Sequence, residues 1–277
     1  MDNNLFNVQK YEPEIKKIQR IESILVNVTR VLTIILIVLV LPLKITLPTG
    51  KTIIDFGGLN PIVAFLLIVL CYAIELILIS RLITPRLSDP LTVECDPEKY
   101  LAINMAAARP HLFKLACITG YLYLGNYNEV IRCANDAINS KNQKYVLTAL
   151  YNKAYAEFLS GDYDALKSTA DAFCEKLSQN PKSSEKLSAE WLGSKLTIEL
   201  LVAIADKDTD SISKLKYRIE PSNTSKASEI IVRYTKGLAE ATVGNIEVAV
   251  SELEWVKANA EKTAFSSLAD EKLKSLI

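Results

Sequence analysis

The stretch that decides the fold is PIVAFLLIVLCYAIELILIS, residues 61–80, which carries a single charged side chain, Glu75. A second stretch, ILVNVTRVLTIILIVLVLPL at residues 24–43, also carries one charge, Arg30. As a helix, at 1.5 Å per residue, each stretch extends about 30 Å, which is the thickness of the hydrocarbon core of a bilayer. The pair, with the second span taken as 61–83, therefore predicts a transmembrane hairpin rather than two buried core helices.

Basic residues around the two spans predict their orientation, because Lys and Arg are in excess on the cytoplasmic side. They lie at Lys10, Lys16, Lys17 and Arg20 before the first span, at Lys44 and Lys51 in the loop 44–60, and at Arg81, Arg86 and Lys99 after the second span. The sequence thus predicts a multi-pass protein of the plasma (inner) membrane with both termini in the cytoplasm and a short external loop. The polar segment 1–23 is too long for a signal peptide, so the first span reads as an uncleaved anchor. The Lys-, Asn- and Ile-rich composition suggests a bacterial source.

Two segments next to the spans have local patterns of their own. The loop 44–60 contains a Pro-Thr-Gly turn between two short apolar runs, which favours a small hairpin of two strands. Residues 5–23 alternate apolar and charged positions at helical spacing around Pro13. Two interpretations stay open for them, an interfacial helix that leads into the first span and a solvated tail.

Composition excludes several classes of function. The chain has 277 residues, with 32 basic and 32 acidic side chains, so it lacks the basic excess of a nucleic-acid-binding protein. Its five cysteines have no C-x-x-C spacing and its only histidine, His111, follows a proline, so neither a metal site nor a disulfide framework is expected. The sequence contains no nucleotide-binding or hydrolase motif. We therefore expect no enzyme activity, no cofactor and no bound metal, and we interpret His111 as a surface or capping residue.

The composition changes to mixed charge with helical periodicity after the spans. Residues 84–96 are Pro-rich and read as a linker, and Asp96-Pro97-Glu98 is a typical helix start. Three similar turns follow, at Gly125, Gly161 and Gly244, and each ends one apolar helix before another begins. Residues 184–220 supply a further helix pair whose turn, which we expect at residues 206–208, has no glycine. The region 97–277 therefore predicts about four helix pairs after one leading helix.

At these turns the chain resembles the tetratricopeptide family, in which small residues on both helices flank a glycine turn and an aromatic ring. The segment GYLYLGNYNEVIRCANDAI carries the pattern at Tyr121, Gly125, Tyr127, Ala134 and Ala137. The segment YNKAYAEFLSGDYDALKSTADAF carries it at Ala154, Gly161, Tyr163 and Ala170, and YTKGLAEATVGNIEVAVSELEWV at Gly237, Gly244 and Ala249. The resemblance implies an all-α fold, in which the two-helix transmembrane hairpin is followed by a cytoplasmic tetratricopeptide-like α-solenoid with a capping helix near 262–276.

The resemblance also implies a concave surface, lined by the first helix of each pair, that binds a peptide or protein. The family register places nine residues on that surface: Leu115, Thr119, Leu122, Tyr151, Tyr155, Phe158, Tyr234, Leu238 and Thr242. The alternative is that these side chains pack against the next repeat. On the first interpretation the chain is a membrane-anchored scaffold or adaptor at the cytoplasmic face. The alternative function is a small integral-membrane subunit of a transport or signalling complex, with the repeats as its regulatory domain.

The two charges in the spans form a second candidate site. Arg30 lies six residues after Ile24, and Glu75 lies six residues before Arg81, so each is about 9 Å from the inner end of its span. Because the spans are antiparallel, both charges lie at the same level. Three interpretations stay open. The two residues form an ion pair that closes the hairpin, or Arg30 snorkels to the headgroups and Glu75 is protonated independently of it, or they form a functional proton or ion site.

Overall fold

The computed structural model describes residues 8–40, 43–46, 52–56, 61–107, 110–179, 184–220 and 225–276. These residues are helical apart from two short strands, and two of the helices are long and apolar, as predicted. After a 3-10 helix at Val8–Tyr11, the helices are α1 Glu12–Val40, α2 Pro61–Leu82, α3 Thr84–Thr92, α4 Pro97–Ala107, α5 Pro110–Leu124, α6 Tyr127–Ala137, α7 Gln143–Ser160, α8 Tyr163–Ser178, α9 Ser184–Asp206, α10 Thr209–Leu215, α11 Lys226–Thr242, α12 Ile246–Asn259 and α13 Ala264–Leu276. The strands are β1 Leu43–Thr46 and β2 Thr52–Phe56. Contacts divide the chain into two compact units, Gln9–Leu87 and a larger unit that contains Ser88–Ile277.

The smaller unit is a helical hairpin in which α1 and α2 contact each other. Helix α1 has 29 residues and is about 44 Å long, so it starts well before the predicted span. Pro13 does not interrupt it, because a proline in the first turn of a helix has no intrahelical hydrogen bond to lose. The charged segment before the span is thus continuous with it, and an ion pair of 2.7 Å between Lys16 and Glu12 stabilises its first turn.

A two-stranded antiparallel ribbon lies between the two helices of the hairpin. Leu43 is opposite Phe56 and Ile45 is opposite Ile54, with an irregularity between Ile45 and Thr46. The two short strands expected in the loop are therefore present.

The segment 84–96, interpreted as a linker, contains helix α3, and the boundary between the two units lies within this segment, between Leu87 and Ser88. Pro85 lies in the first turn of α3, where a proline loses no intrahelical hydrogen bond, whereas Pro90 near the end of α3 removes one, to the carbonyl of Arg86. Helix α3 is followed by Cys95, which has a positive φ of 51°. The helix start predicted after it is confirmed, because the Asp96 carboxylate accepts a hydrogen bond of 2.9 Å from the Lys99 backbone N–H at the start of α4.

In the larger unit, helices α5 to α12 form four consecutive pairs that turn in the same way. The first helix of each pair ends at a residue with positive φ: Gly125 at 76°, Gly161 at 80°, Lys207 at 56° and Gly244 at 85°. In all four pairs the next backbone N–H donates a 2.9 Å hydrogen bond to the carbonyl five residues earlier, from Asn126 to Tyr121, Asp162 to Glu157, Asp208 to Ala203 and Asn245 to Glu240. The turn expected at residues 206–208 is therefore present, with Lys207 in the place of glycine.

Small residues allow the two helices of a pair to approach closely. A Cβ atom added at Gly237 on α11 would lie 2.8 Å from Leu253 Cγ on α12, which is closer than real contacts allow. Ala134, Ala154 and Ala249 are fully buried at similar helix contacts. One apolar cluster extends from Leu91 to Leu273 and includes residues of every pair and of α13. A second, smaller cluster, which includes Leu200, Ile212 and Val232, joins α9, α10 and α11.

Candidate functional site

The predicted binding surface on α5, α7 and α11 is mostly interior. Five of its nine residues are buried: Leu122 and Tyr155 at 0% exposure, Tyr234 at 5%, and Phe158 and Leu238 at 8%. The other four, Leu115, Thr119, Tyr151 and Thr242, are half-buried, and the Thr242 hydroxyl donates a 2.8 Å hydrogen bond to the Leu238 carbonyl of its own helix. Of the aromatic residues, Tyr155, Phe158 and Tyr234 are buried, which agrees with the alternative of packing between repeats, and Tyr151 is half-buried.

These side chains are buried because the first helices of the pairs, α5, α7 and α11, pack against one another. The Tyr123 hydroxyl on α5 donates a hydrogen bond of 2.8 Å to the carbonyl of Ala227 on α11. The Tyr155 hydroxyl on α7 forms a short hydrogen bond with Thr235, also on α11. Burial raises the pKa of both tyrosines well above their ordinary value, so both stay neutral at physiological pH.

Helix α13 completes this closure. The Phe265 ring on α13 lies 5.3 Å, centroid to centroid, from both the Tyr123 ring on α5 and the Tyr234 ring on α11. Just before α13, Lys262 forms a 2.9 Å ion pair with Asp96 at the start of α4. An open solenoid would not bring its first and fourth pairs together. The side of α5, α7 and α11 that was expected to form a concave binding surface is thus filled by the chain's own side chains.

Sequence reasoning missed Tyr123, Thr235 and Phe265, which make these contacts. Each lies in an apolar helical segment, and nothing in one sequence indicates that Tyr123 meets a carbonyl 104 residues away. Only a list of co-varying positions would have supplied that signal.

A buried ion pair joins the third and fourth pairs. Lys216 Nζ lies 2.5 Å from Glu240 Oε2, and their side chains are 5% and 8% exposed. The side-chain amide of Asn245 donates a second hydrogen bond of 2.7 Å to the same carboxylate oxygen. Burial alone would lower the pKa of Lys216, but hydrogen bonds to Glu240 and Tyr217 and the attraction of the Glu240 carboxylate raise it overall. The lysine is therefore charged and has a structural role.

The described surface of the larger unit has a depression of about 840 Å³ between α12 and α13. Its central carboxylate, Asp270, pairs with both Lys257 and Lys274, whose hydrogen bonds lower the pKa of Asp270 to about 2. Among the described residues no group of three or more His, Cys, Asp or Glu side chains has the arrangement of a metal site. The side chain of His111 lies outside the described residues.

The hairpin presents a very different surface. Only 6% of the most apolar window in each long helix is buried. Of the large apolar side chains described as exposed, the great majority lie on α1 and α2, from Ile24 to Leu39 and from Ile62 to Leu82. Such a surface is far larger than the apolar patches of soluble monomers.

Arg30 and Glu75 lie on different faces of the hairpin. The inner face, by which we mean the buried and half-buried positions along each long helix, includes Thr29 and Thr33 on α1 and Cys71 and Glu75 on α2. Arg30 is exposed, since it is rotated about 100° around α1 from Thr29. Among the described residues no ion pair joins Arg30 to Glu75, so the first of the three interpretations, a pair that closes the hairpin, is not seen there.

Comparison with protein-family models, with curated protein sequences and with solved structures finds no match to this chain. The tetratricopeptide resemblance therefore stays a prediction, and function has to be argued from the surfaces described above.

Proposed function

We propose that this protein is a membrane-anchored interaction scaffold. Its α1–α2 hairpin crosses the plasma membrane twice, and a tetratricopeptide-like domain, residues 97–277, lies at the cytoplasmic face. The observation that carries the proposal is the contrast between two long helices whose apolar windows are 94% unburied and a larger unit with a continuous apolar core.

Magnitudes favour a bilayer over water around the hairpin. Complete burial of a large aliphatic or aromatic side chain is worth about 1.5–3 kcal/mol, so leaving one half exposed forfeits about 1 kcal/mol. With the long runs of exposed side chains on α1 and α2, the forfeited free energy reaches on the order of 20 kcal/mol. That exceeds the net stability of a typical domain, whereas lipid would recover most of it.

The orientation rests on the basic residues. Four of them precede the first span, three follow the second, and the loop holds Lys44 and Lys51 only, which favours cytoplasmic termini. The tetratricopeptide-like arrangement is supported by four turns with the same hydrogen bond and by left-handed residues that are 36, 46 and 37 residues apart.

Because the concave side is filled, the scaffold must bind its protein or peptide partner on its outer surface. Tyr163, Ile246 and Val248 are 44%, 41% and 48% exposed at the starts of α8 and α12. Tyr163 and Ile246 occupy the same position after their left-handed glycines, so these second helices display apolar side chains in a repeated way. We assign the partner-binding surface to the outer sides of α8 and α12.

The experiment that tests the anchor is labelling of intact cells with a membrane-impermeant thiol reagent. A cysteine introduced at Thr49 in the loop should react, whereas one at Asp164, exposed on α8, should react only after the cells are opened. The unaltered chain is the control, because none of its five cysteines is fully exposed. Labelling of the Asp164→Cys variant but not of Thr49→Cys in intact cells would overturn the orientation.

The alternative function, a subunit of a transport or signalling complex, is favoured by one observation: the spans contain two charged residues without partners in the described hairpin. Crosslinked co-purification of the full chain from mild detergent separates the two functions. Soluble proteins that are lost from a Tyr163→Ala/Ile246→Ala variant support the scaffold, and spanning proteins that are retained by that variant support the alternative.

A further inference from the structure

The apolar part of the hairpin contains two opposite charges, Arg30 and Glu75, and neither has a partner among the described residues. In residues 8–40 and 61–87, the side chains of Arg30 and Glu75 make no ion pair and no hydrogen bond. The threonine hydroxyls on the inner face of α1 form hydrogen bonds within their own helix rather than with Glu75. The Thr29 hydroxyl donates to the Leu25 carbonyl at 3.1 Å and the Thr33 hydroxyl to the Thr29 carbonyl at 2.8 Å, both within α1.

We propose that the hairpin forms a symmetric dimer in the membrane, in which Arg30 of each copy pairs with Glu75 of the other. The proposal rests on the proposed function in one respect, which is that the hairpin lies in a bilayer. There an unpaired charge is costly, and charges usually pair or mark a functional site. A second copy of the same chain offers the complementary charge twice, once for each unsatisfied group.

Depth in the bilayer permits this pairing. Two identical hairpins related by a two-fold axis along the membrane normal place each residue at the same depth in both copies. Arg30 lies ten residues before Val40, about 15 Å along α1, and Glu75 lies fourteen residues after Pro61, about 21 Å along α2. The two Cα atoms therefore differ in depth by about 6 Å, measured from the loop ends of the helices.

The direction of the side chains reduces that difference. Side chains on a helix lean towards its N-terminus. Because α1 and α2 run in opposite directions, Arg30 leans away from the loop and Glu75 leans towards it. The long arginine side chain and the glutamate thus approach the same level from opposite sides.

The positions around the helices explain why the pair forms between copies rather than within one. Glu75 is half-buried on the inner face of α2, while Arg30 is exposed beside the inner face of α1. The guanidinium of Arg30 from the second copy can contact the exposed part of the Glu75 carboxylate from outside the hairpin. The same geometry, repeated by symmetry, places the first copy's Arg30 on the partner's Glu75.

Complementation between two single variants tests the proposal. Full-length chains with two different tags are co-expressed, extracted in mild detergent and purified through one tag. Unaltered chains should co-purify with each other. Arg30→Glu chains alone, or Glu75→Arg chains alone, would bring like charges together at both contacts, so we expect self-association to fall about tenfold or more. An Arg30→Glu chain and a Glu75→Arg chain expressed together form two opposite-charge contacts, and co-purification should return.

A matched control places the same charge change elsewhere on α1. Arg20 is exposed ten residues before Arg30, and an Arg20→Glu chain still carries Arg30 and Glu75. With a Glu75→Arg chain it forms one opposite-charge and one like-charge contact, so it should not restore association to the level of the Arg30→Glu and Glu75→Arg combination. Restoration by the Arg20→Glu control, failure of the Arg30→Glu and Glu75→Arg chains to rescue each other, or no association of the unaltered chain would each overturn the dimer. Alkaline carbonate washing of the same membranes separates this result from the proposed function. A chain that stays in the washed membranes without the charge dependence refutes the dimer only, and a chain that is washed off refutes the anchor itself.

Discussion

Lys207 is the one left-handed residue in the four repeat turns that is not glycine, and replacing it by glycine should stabilise the domain. Its φ of 56° costs an L-residue about 1–2 kcal/mol, because the Cβ atom crowds the following carbonyl. Glycine avoids this cost but loses about 0.5–1 kcal/mol more conformational entropy on folding. The Lys207 side chain is exposed, so its removal adds little. The Lys207→Gly variant should therefore gain about 0.5–1 kcal/mol in unfolding free energy.

Thermal unfolding of the full chain in mild detergent, followed by circular dichroism at 222 nm, measures this gain. For a unit of this size we expect a rise in Tm of about 2–4 °C per kcal/mol. Lys207→Ala is the matched control, since it removes the same side chain but keeps the left-handed Cβ, and its Tm should stay close to that of the unaltered chain. Gly161→Ala supplies the converse test: φ is +80° there and nothing lies within 4 Å of an added Cβ, so only backbone strain lowers its Tm. Equal Tm values for Lys207→Gly and Lys207→Ala would refute the assignment of strain to this turn.

Three further predictions concern the interior of the larger unit. Tyr155→Phe should cost about 1 kcal/mol for the lost hydrogen bond to Thr235, and Tyr155→Ala about 3–5 kcal/mol as a buried aromatic; a Tyr155→Ala variant that melts normally would show that this ring lies at the surface after all. Lys216→Met should lower the unfolding free energy by about 3–5 kcal/mol, because it leaves the buried Glu240 without its partner. Adding Glu240→Leu should recover much of this loss in a double-mutant cycle, and strictly additive losses would contradict the pair. Burial raises the pKa of Cys117 to about 12, so a thiol reagent at pH 8 should leave Cys117 unmodified in the folded chain and modify it in denaturant, as mass spectrometry of the labelled peptides would reveal.

The sequence predicted the elements that depend on interactions between residues close together in the chain. The apolar runs gave α1 and α2, and the glycines gave three of the four turns, because left-handed backbone favours glycine strongly enough to be read in one chain. The fourth turn was located only by spacing, since a lysine at position 207 carries no such signal. The helix α3 inside the Pro-rich linker 84–96 was not predicted, because prolines usually end helices; here Pro85 lies in the first turn and Pro90 removes only one backbone hydrogen bond near the end.

The candidate sites were less predictable, because they depend on where distant parts of the chain meet. The nine residues assigned to a concave surface do lie on the first helices of their pairs. Whether such a surface is open depends on the superhelical closure, which is set by contacts such as that from Tyr123 to Ala227. In the same way, placing Arg30 and Glu75 at one level allowed an ion pair as one of three interpretations, but the sequence did not indicate that Arg30 is exposed on α1, about 100° around the helix from the buried Thr29.

The closure of the helical array by α13 has a consequence for how the domain folds. Open repeat arrays gain stability from neighbour to neighbour, so they can fold and fray one unit at a time. Here the ion pair between Lys262 and Asp96 and the ring contact between Phe265 and Tyr123 join segments more than 140 residues apart in sequence. Such non-local contacts slow folding and tie the pairs into one cooperative transition. During synthesis, the part of α5 around Tyr123 therefore stays uncovered until α11 and α13 have left the ribosome, and in that interval its apolar side chains favour aggregation.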